Sequence, residues 1–343
     1  MSPIIGGIKM EYPIIVGGGV CKTPTSILPY MKPNLAIGAI ETGSYTPLQR
    51  DGNQGTLAWP TDYQEVLEAQ FGLNSYGMPN CGFDEALSLF QKQHLQHLKP
   101  VLINIAGFSV EDYLEGANTF GKNPEIFAGI VANAGCPNAH DGKTIPIAYD
   151  LDTCDRILDA IGGLDLHVPF WWKESPTITR SQLSQLEQHL PHVDFSHTPV
   201  VDDAFLYEKA ELLKQYPFIR AVIYSNTLGN CIYRNTDGKT VTTPNDGKAG
   251  LSGSVMKDIS SVLIQFMRPL LPDTIDLIHS GGILTGEDVV DCLGWAKAVQ
   301  CTSGPFWYGD GPRFLPYLVS ERAAPQEHLF QALIHRNPPR LRT

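Results

Sequence analysis

"IHSGGILTGEDVVDCLGWAKAVQCTSG", residues 278–304, decides the fold. An apolar run ends in Gly281-Gly282, and a helix begins after Thr285 with Glu287 and Asp288 in its first turn. A second apolar run then ends at Thr302-Ser303. Acidic residues at a helix start complement its dipole, and a strand–helix–strand succession is the repeating unit of a parallel α/β sheet. Two successive strand ends built from small residues let backbone N–H groups approach a phosphate closely, as happens after the seventh and eighth strands of many barrels. The alternative is a pair of tight loops with no ligand.

The same unit recurs toward the N-terminus. Short apolar runs bounded by Gly, Pro or Asn lie at 12–18 (YPIIVGG), 34–41 (NLAIGAIE), 100–107 (PVLINIAG), 127–135 (FAGIVANAG), 168–173 (VPFWWK) and 219–226 (IRAVIYSN). With 275–282 and 296–304 they make eight strands of the near-continuous apolar kind that is buried on both faces. Between them lie segments of helical period, among them 81–98 and 148–163, the latter ending in a glycine pair. Repeated βα units in this number predict a (β/α)8 TIM barrel, taken as one domain over residues 1–343. Two irregular regions interrupt it. Residues 43–80 form a long loop after the second strand, and 177–201 read as an insertion with its own short helix. A third glycine-rich stretch, "DGKAGLSGS" (246–254), reads as a loop after the sixth strand and lacks the spacing of an ATP-binding P-loop.

Bulk properties narrow the function. A net charge of -11 with no Lys/Arg cluster argues against nucleic acid as a partner. The N-terminus has no basic n-region, and no stretch approaches transmembrane length, so no membrane association is expected. Seven scattered cysteines without a CxxC pair suit a reducing compartment, free thiols and no metal site, and a cytoplasmic location is expected.

In a barrel of this kind functional residues gather at the C-terminal ends of the strands. Asn104, Asn133 with Cys136, Lys173, Asn226, Ser280-Gly281-Gly282 and Thr302-Ser303 all fall there. "VANAGCPNAH" (131–140) sets Cys136 among glycine, proline and two carboxamides. Either it is a turn after a buried strand with an inert thiol, or Cys136 is a general base beside groups that hold a polar planar substrate. Lys173 could be a solvated rim residue or a cation against a flavin.

At "NSYGMPNCGFDEAL" (74–87) the chain resembles the dihydroorotate dehydrogenases, specifically class 1 and its homodimeric A subclass. The resemblance continues in family order through "RDGNQ", "NAGCPN", "PIAYD", "WKESP", "YSNTLGN", "GLSG", "HSGGILTGEDV" and "VQCTSG", nearly the whole chain. It implies an FMN-binding barrel that oxidises (S)-dihydroorotate to orotate in pyrimidine biosynthesis and passes electrons to a soluble acceptor such as fumarate. It also implies a homodimer. By that resemblance Cys136 is the general base, and Asn74, Asn133, Asn138, Asn226 and Thr227 bind the pyrimidine. Tyr76, Gly77 and Met78 cradle the substrate carboxylate. FMN falls to Gly18, Gly19, Asn104, Asn133, Lys173, Gly253, Ser280, Gly281, Gly282, Thr302 and Ser303.

The chain departs from the family in places. Gly43, two residues after Glu41, stands where the family has a lysine near flavin and substrate, and Lys22 and Arg50 are the candidates to supply that charge. The phosphate loop reads Cys-Thr-Ser where the family usually has Ile-Gly-Thr. The alternatives are an FMN enzyme for another dihydropyrimidine or cyclic amide, and a non-catalytic flavin-binding barrel.

Overall fold

The computed structural model describes residues 2–33, 35–60, 69, 71–93, 95, 99–137 and 145–302. A hairpin of β1 (Ile4–Ile5) and β2 (Ile8–Lys9) precedes β3 (Ile14–Val16), α1 (Pro24–Ile27) and β4 (Ala39–Tyr45). The chain continues through β5 (Ala58–Trp59), β6 (Gly72–Asn74), α2 (Phe83–Gln93), β7 (Val101–Ile105), α3 (Val110–Gly121), β8 (Gly129–Asn133) and α4 (Leu151–Gly162). Next come β9 (Phe170–Lys173), α5 (Arg180–His189), β10 (Val193–Asp194), α6 (Asp203–Lys214), β11 (Ile219–Tyr224), β12 (Leu228–Tyr233) and β13 (Ala249–Ser252). The last described elements are α7 (Val255–Met267), β14 (Asp276–Ser280), α8 (Gly286–Leu293) and β15 (Ala298–Cys301).

The eight apolar runs are the eight strands of a closed parallel barrel, in the order β3-β4-β7-β8-β9-β11-β14-β15. Closure is made by β15 against β3, with Val299 opposite Ile14 and Cys301 opposite Val16. Because side chains alternate along a strand, each strand contributes to two cores. Ile15, Ala39, Leu102, Val131, Trp171, Ala221, Ile223, Ile278 and Ala298 meet inside the barrel, together with Ile5, Ile8 and Met10 from the hairpin segment. Their neighbours, among them Ile14, Ile40, Ile103, Ile130, Trp172, Val222 and Leu277, belong to the larger core that also takes in helix residues. The hairpin stops the N-terminal end of the barrel. Trp171 Nε1 donates to the Gly6 carbonyl at 2.8 Å, and the Gly6 N–H donates to Asp276 Oδ2 at 2.7 Å. The helices begin on side-chain caps: Ser109, Asp150, Asp202 and Thr285 each accept an N–H from three residues on.

A second sheet, antiparallel and of order β10-β12-β13-β6-β5, was not legible as strands. Its strands are two to six residues long and rich in glycine. In particular, residues 249–252 of the stretch read as a glycine-rich loop form β13, because their backbone pairs with β12 on one side and β6 on the other. The 177–201 region contains α5, held by a capping box of Thr179 and Gln182, and β10, which pairs β12.

His279 lies on the outward side of β14, with Nε2 3.2 Å from the Lys257 carbonyl and Nδ1 buried without a partner. Burial pushes its pKa from 6.5 down to about 4; the Lys257 carbonyl and Asp288 raise it, and the Lys257 charge lowers it further. The folded state therefore holds the imidazole neutral. That contribution to stability is complete above about pH 6.5 and is lost as the pH falls toward 4, costing up to about 3 kcal/mol. Urea midpoints at pH 7 and pH 4.5 should show this loss, and His279→Gln should flatten the slope between them.

Candidate active site

The barrel interior changes character within one step of the strand period. Two residues beyond the apolar layer, toward the strand C-termini, Ala39 gives way to Glu41, Leu102 to Asn104 and Val131 to Asn133. Likewise Trp171 gives way to Lys173, Ile223 to Ser225, Ile278 to Ser280 and Ala298 to Gln300. All seven of these polar residues line one cavity of about 370 Å³. Its apolar floor is the hairpin-plugged core, so the cavity is the mouth of the barrel.

Glu41 lies at the centre of the hydrogen bonds in this layer and is 1% exposed. Its Oε1 accepts from Asn104 Nδ2 at 2.9 Å, from the Lys173 ammonium at 3.1 Å and from the Gly18 N–H at 3.3 Å. Gln300 Nε2 donates to Oε2 at 2.7 Å, while Gln300 Oε1 accepts from Lys173 at 2.7 Å and from the Ser280 hydroxyl at 3.2 Å. Asn104 Oδ1 is buried and has no partner. It is an acceptor left for a donor on a ligand.

A second group of cavity side chains is built from amides. Asn226 Nδ2 donates to Asn133 Oδ1 at 2.9 Å, Asn133 Nδ2 donates to Ser44 Oγ at 2.8 Å, and the Thr227 N–H donates to Asn226 Oδ1 at 2.8 Å. The Asn133 carbonyl takes the buried Tyr113 hydroxyl at 2.7 Å. Asn74 comes from β6 and Ser252 from β13, so the second sheet supplies cavity wall. Asn80 shapes the 76–79 turn by donating to the Met78 carbonyl at 2.9 Å while its Oδ1 accepts the Gly82 N–H at 2.9 Å.

Cys136 follows β8 and opens onto the cavity. The thiols of Cys21, Cys154, Cys231, Cys292 and Cys301 are pushed up by burial, which keeps them protonated. Lys22, also on the cavity wall, supplies a positive charge beside Cys136. Burial pushes its pKa down to about 8, against the opposing pull of Cys136 and Glu41. Its ammonium donates to the Gly43 carbonyl at 2.6 Å. The 21–22 segment is tied to β4 by the Gly43 N–H and the Thr42 hydroxyl, which both donate to the Cys21 carbonyl, and by Tyr45, which donates to the Lys22 carbonyl. Arg50 does not take this place. It lies over the Phe108 ring at 4.8 Å, with Nε donating to the Gly77 carbonyl.

Of the residues singled out in sequence, the cavity brings together Gly18, Gly19, Asn74, Tyr76, Gly77, Met78, Asn104, Asn133, Cys136, Lys173, Asn226, Thr227, Ser280, Gly281, Gly282 and Thr302. Gly253 is not on its wall. Asn138 and Ser303 lie outside the described residues. Sequence reasoning missed Ser44 and Gln300, and gave Glu41 no role. Gln300 and Glu41 each sit two positions past a small apolar residue of a barrel strand, which is the signal that marks them. Among the described residues no His/Cys/Asp/Glu group could hold a metal ion.

The dihydroorotate dehydrogenase family model matches residues 2–319. A dihydroorotate dehydrogenase (fumarate) of Kluyveromyces lactis is 28% identical over 287 residues, 82% of this chain and 79% of the relative. The dihydroorotate dehydrogenase A (fumarate) of Lactococcus lactis subsp. cremoris is 25% identical over 328 residues, covering 94% of this chain and 92% of its own. The catalytic subunit of a dihydroorotate dehydrogenase B (NAD(+)) from Listeria welshimeri is 25% identical over 318 residues, 92% and 90% of the two chains. In structure, a ligand-free DHODH from Eimeria tenella superposes with a TM-score of 0.72 over 98% of this chain and 92% of that one, at 18% identity. That likeness shows the barrel fold.

Gly43 has φ +120°, and a Cβ there would sit 2.5 Å from the Asn104 carbonyl oxygen. Gly43→Lys therefore does not restore a lysine at this place. It should strain the backbone by about 1–3 kcal/mol, seen as a lower Tm.

Proposed function

The chain belongs to the dihydroorotate dehydrogenase family, an oxidoreductase family acting on CH–CH bonds, and on that premise we propose that it oxidises (S)-dihydroorotate to orotate with FMN as its cofactor. The observation that carries this reading is the meeting of Cys136, the Asn74, Asn133 and Asn226 amides, and the Lys22 ammonium in the lining of one cavity. A cyclic imide with a carboxylate needs both donors and acceptors at its ring edge and a cation for its charge. This lining offers both.

The residues present fit FMN on three counts. The orphaned Asn104 Oδ1 needs a donor, and a flavin's imide N–H is one. Lys173 brings a buried ammonium suited to the electron-rich edge of that ring. At Gly282, φ is +74° and a Cβ would meet the Lys257 backbone nitrogen at 2.4 Å, so only a glycine permits this tight turn beside Gly281 and Thr302, where a phosphate would be held. When bound, FMN supplies the hydride acceptor.

The chain's own part is acid–base and positional. Cys136 takes the proton from C5 of dihydroorotate, which it does as thiolate, and the nearby Lys22 charge favours that form. Asn133 and Asn226 are held by each other and by Ser44, so the ring meets amides whose orientation is already set. Lys22 faces the substrate carboxylate and takes the role that the family gives to a lysine at position 43. A soluble acceptor such as fumarate, a homodimer and a cytoplasmic location complete the proposal; among the described residues no helix is long and apolar enough to cross a membrane.

Mixing FMN-loaded protein anaerobically with L-dihydroorotate should bleach the flavin's visible absorbance rapidly. Full FMN content with no bleaching would refute the substrate. Faster bleaching by a dihydrouracil-like compound would instead support the reading that Gly43 marks a neutral cyclic amide as substrate. Cys136→Ser should slow bleaching by on the order of a hundredfold or more near neutral pH, with FMN content unchanged. Lys22→Met should raise KM by roughly tenfold, the cost of one charge-assisted contact. In the parent, Lys22 is charged below about pH 8 and neutral above it. KM for the anionic substrate should accordingly rise as the pH passes 8, and Lys22→Arg should remove that rise.

A further inference from the structure

Glu41 is a full negative charge placed where a flavin site would be expected to carry positive charge only. We propose that Glu41 is a positioning residue that fixes the hydrogen-bonding pattern of the cofactor cradle and holds down the reduction potential of the bound flavin by compensating Lys173. The proposal rests on the reading of the cavity as an FMN site.

Two observations carry it. The first is directional. An ionised carboxylate can only accept hydrogen bonds, so each amide that touches it must present its NH2. Asn104 does so at 2.9 Å and Gln300 at 2.7 Å. That leaves Asn104 Oδ1 buried without a partner, and leaves Gln300 Oε1 to accept from Lys173 at 2.7 Å and from Ser280 at 3.2 Å. Without Glu41 both amides could flip, and the cradle would offer a donor where it now offers an acceptor.

The second observation is the charge. Lys173 Nζ lies 3.1 Å from Glu41 Oε1, and the Lys173 and Glu41 side chains are 10% and 1% exposed. At that burial the screening that makes surface pairs weak is largely absent. The pair presents no net charge to the flavin edge, whereas Lys173 alone would present a full cation. A cation stabilises the more negative, two-electron-reduced flavin. Compensating it favours the oxidised form and makes the bound flavin a better electron donor once reduced. Lys22, a second cation on the cavity lining, donates to the Gly43 carbonyl at 2.6 Å and is influenced by Cys136 more than by Glu41.

The test is the midpoint potential of the FMN-loaded protein, measured against a reference dye in the absence of substrate. Glu41→Gln should retain FMN but shift the two-electron reduction equilibrium at least tenfold toward the reduced form, equivalent to about 30 mV more positive. Glu41→Asp, which keeps the charge, should stay within about threefold of the parent, or roughly 15 mV. If Glu41→Gln does not accumulate as folded protein, Lys173→Gln reads the pair from its other side. Leaving Glu41 uncompensated should shift the equilibrium at least about tenfold toward the oxidised form. An unshifted potential in whichever of these variants is loaded with FMN overturns the proposal while leaving the flavin reading intact. Parent protein that takes up no FMN overturns both.

Discussion

Closing eight parallel strands into a barrel forces every second side chain inward, and everything else in this molecule depends on that constraint. With the N-terminal hairpin stopping one end, the inward positions sort by depth. One layer is Ile, Leu, Val, Ala and Trp; the next is Glu41, Asn104, Asn133, Lys173, Ser225, Ser280 and Gln300. The apolar layer supplies rigidity and excludes water. The polar layer inherits that rigidity, because its side chains leave paired barrel strands or, for Ser225, the residue after β11 whose N–H donates to the Ser280 carbonyl. Preorganised donors and acceptors of this kind lose little freedom when a ligand arrives.

The eight strands were legible because a strand buried on both faces must be a short apolar run, and because such runs end where the chain turns over helix or loop. Cys136, Lys173, Asn104, Asn133 and Asn226 were legible as polar residues toward the ends of those runs, whereas Asn74 and Asn138 came only from the family resemblance. The antiparallel sheet was not. Its strands are too short for alternation to register, and glycines in "NTLGN" and "KAGLSG" carry turn signals that the pairing of β12, β13 and β6 overrides. Glu41 and Gln300 were hidden for a different reason. Gln300 lies inside its apolar run and Glu41 closes the run 34–41, and in either place a single polar residue looks like noise unless the inward register of the strand is known.

Lys22 lies in space beside the position at which the chain departs from the family pattern. Sequence alone records a lost cation at position 43. The structure shows a cation arriving from the preceding strand–helix connection, held to β4 by the hydrogen bonds of Cys21, Thr42, Tyr45 and Gly43 itself. In the function proposed above, this is the charge that answers for the lysine the resemblance places at position 43.

The Lys22–Gly43 contact couples two positions that lie far apart in the sequence. The Gly43 carbonyl that receives the Lys22 ammonium belongs to a backbone whose left-handed φ suits glycine. A chain with lysine at both positions would crowd two like charges beside Lys173, and a chain with neither would leave an anionic ligand unopposed. Related barrels are therefore expected to carry one arrangement or the other, with the two sites exchanging together.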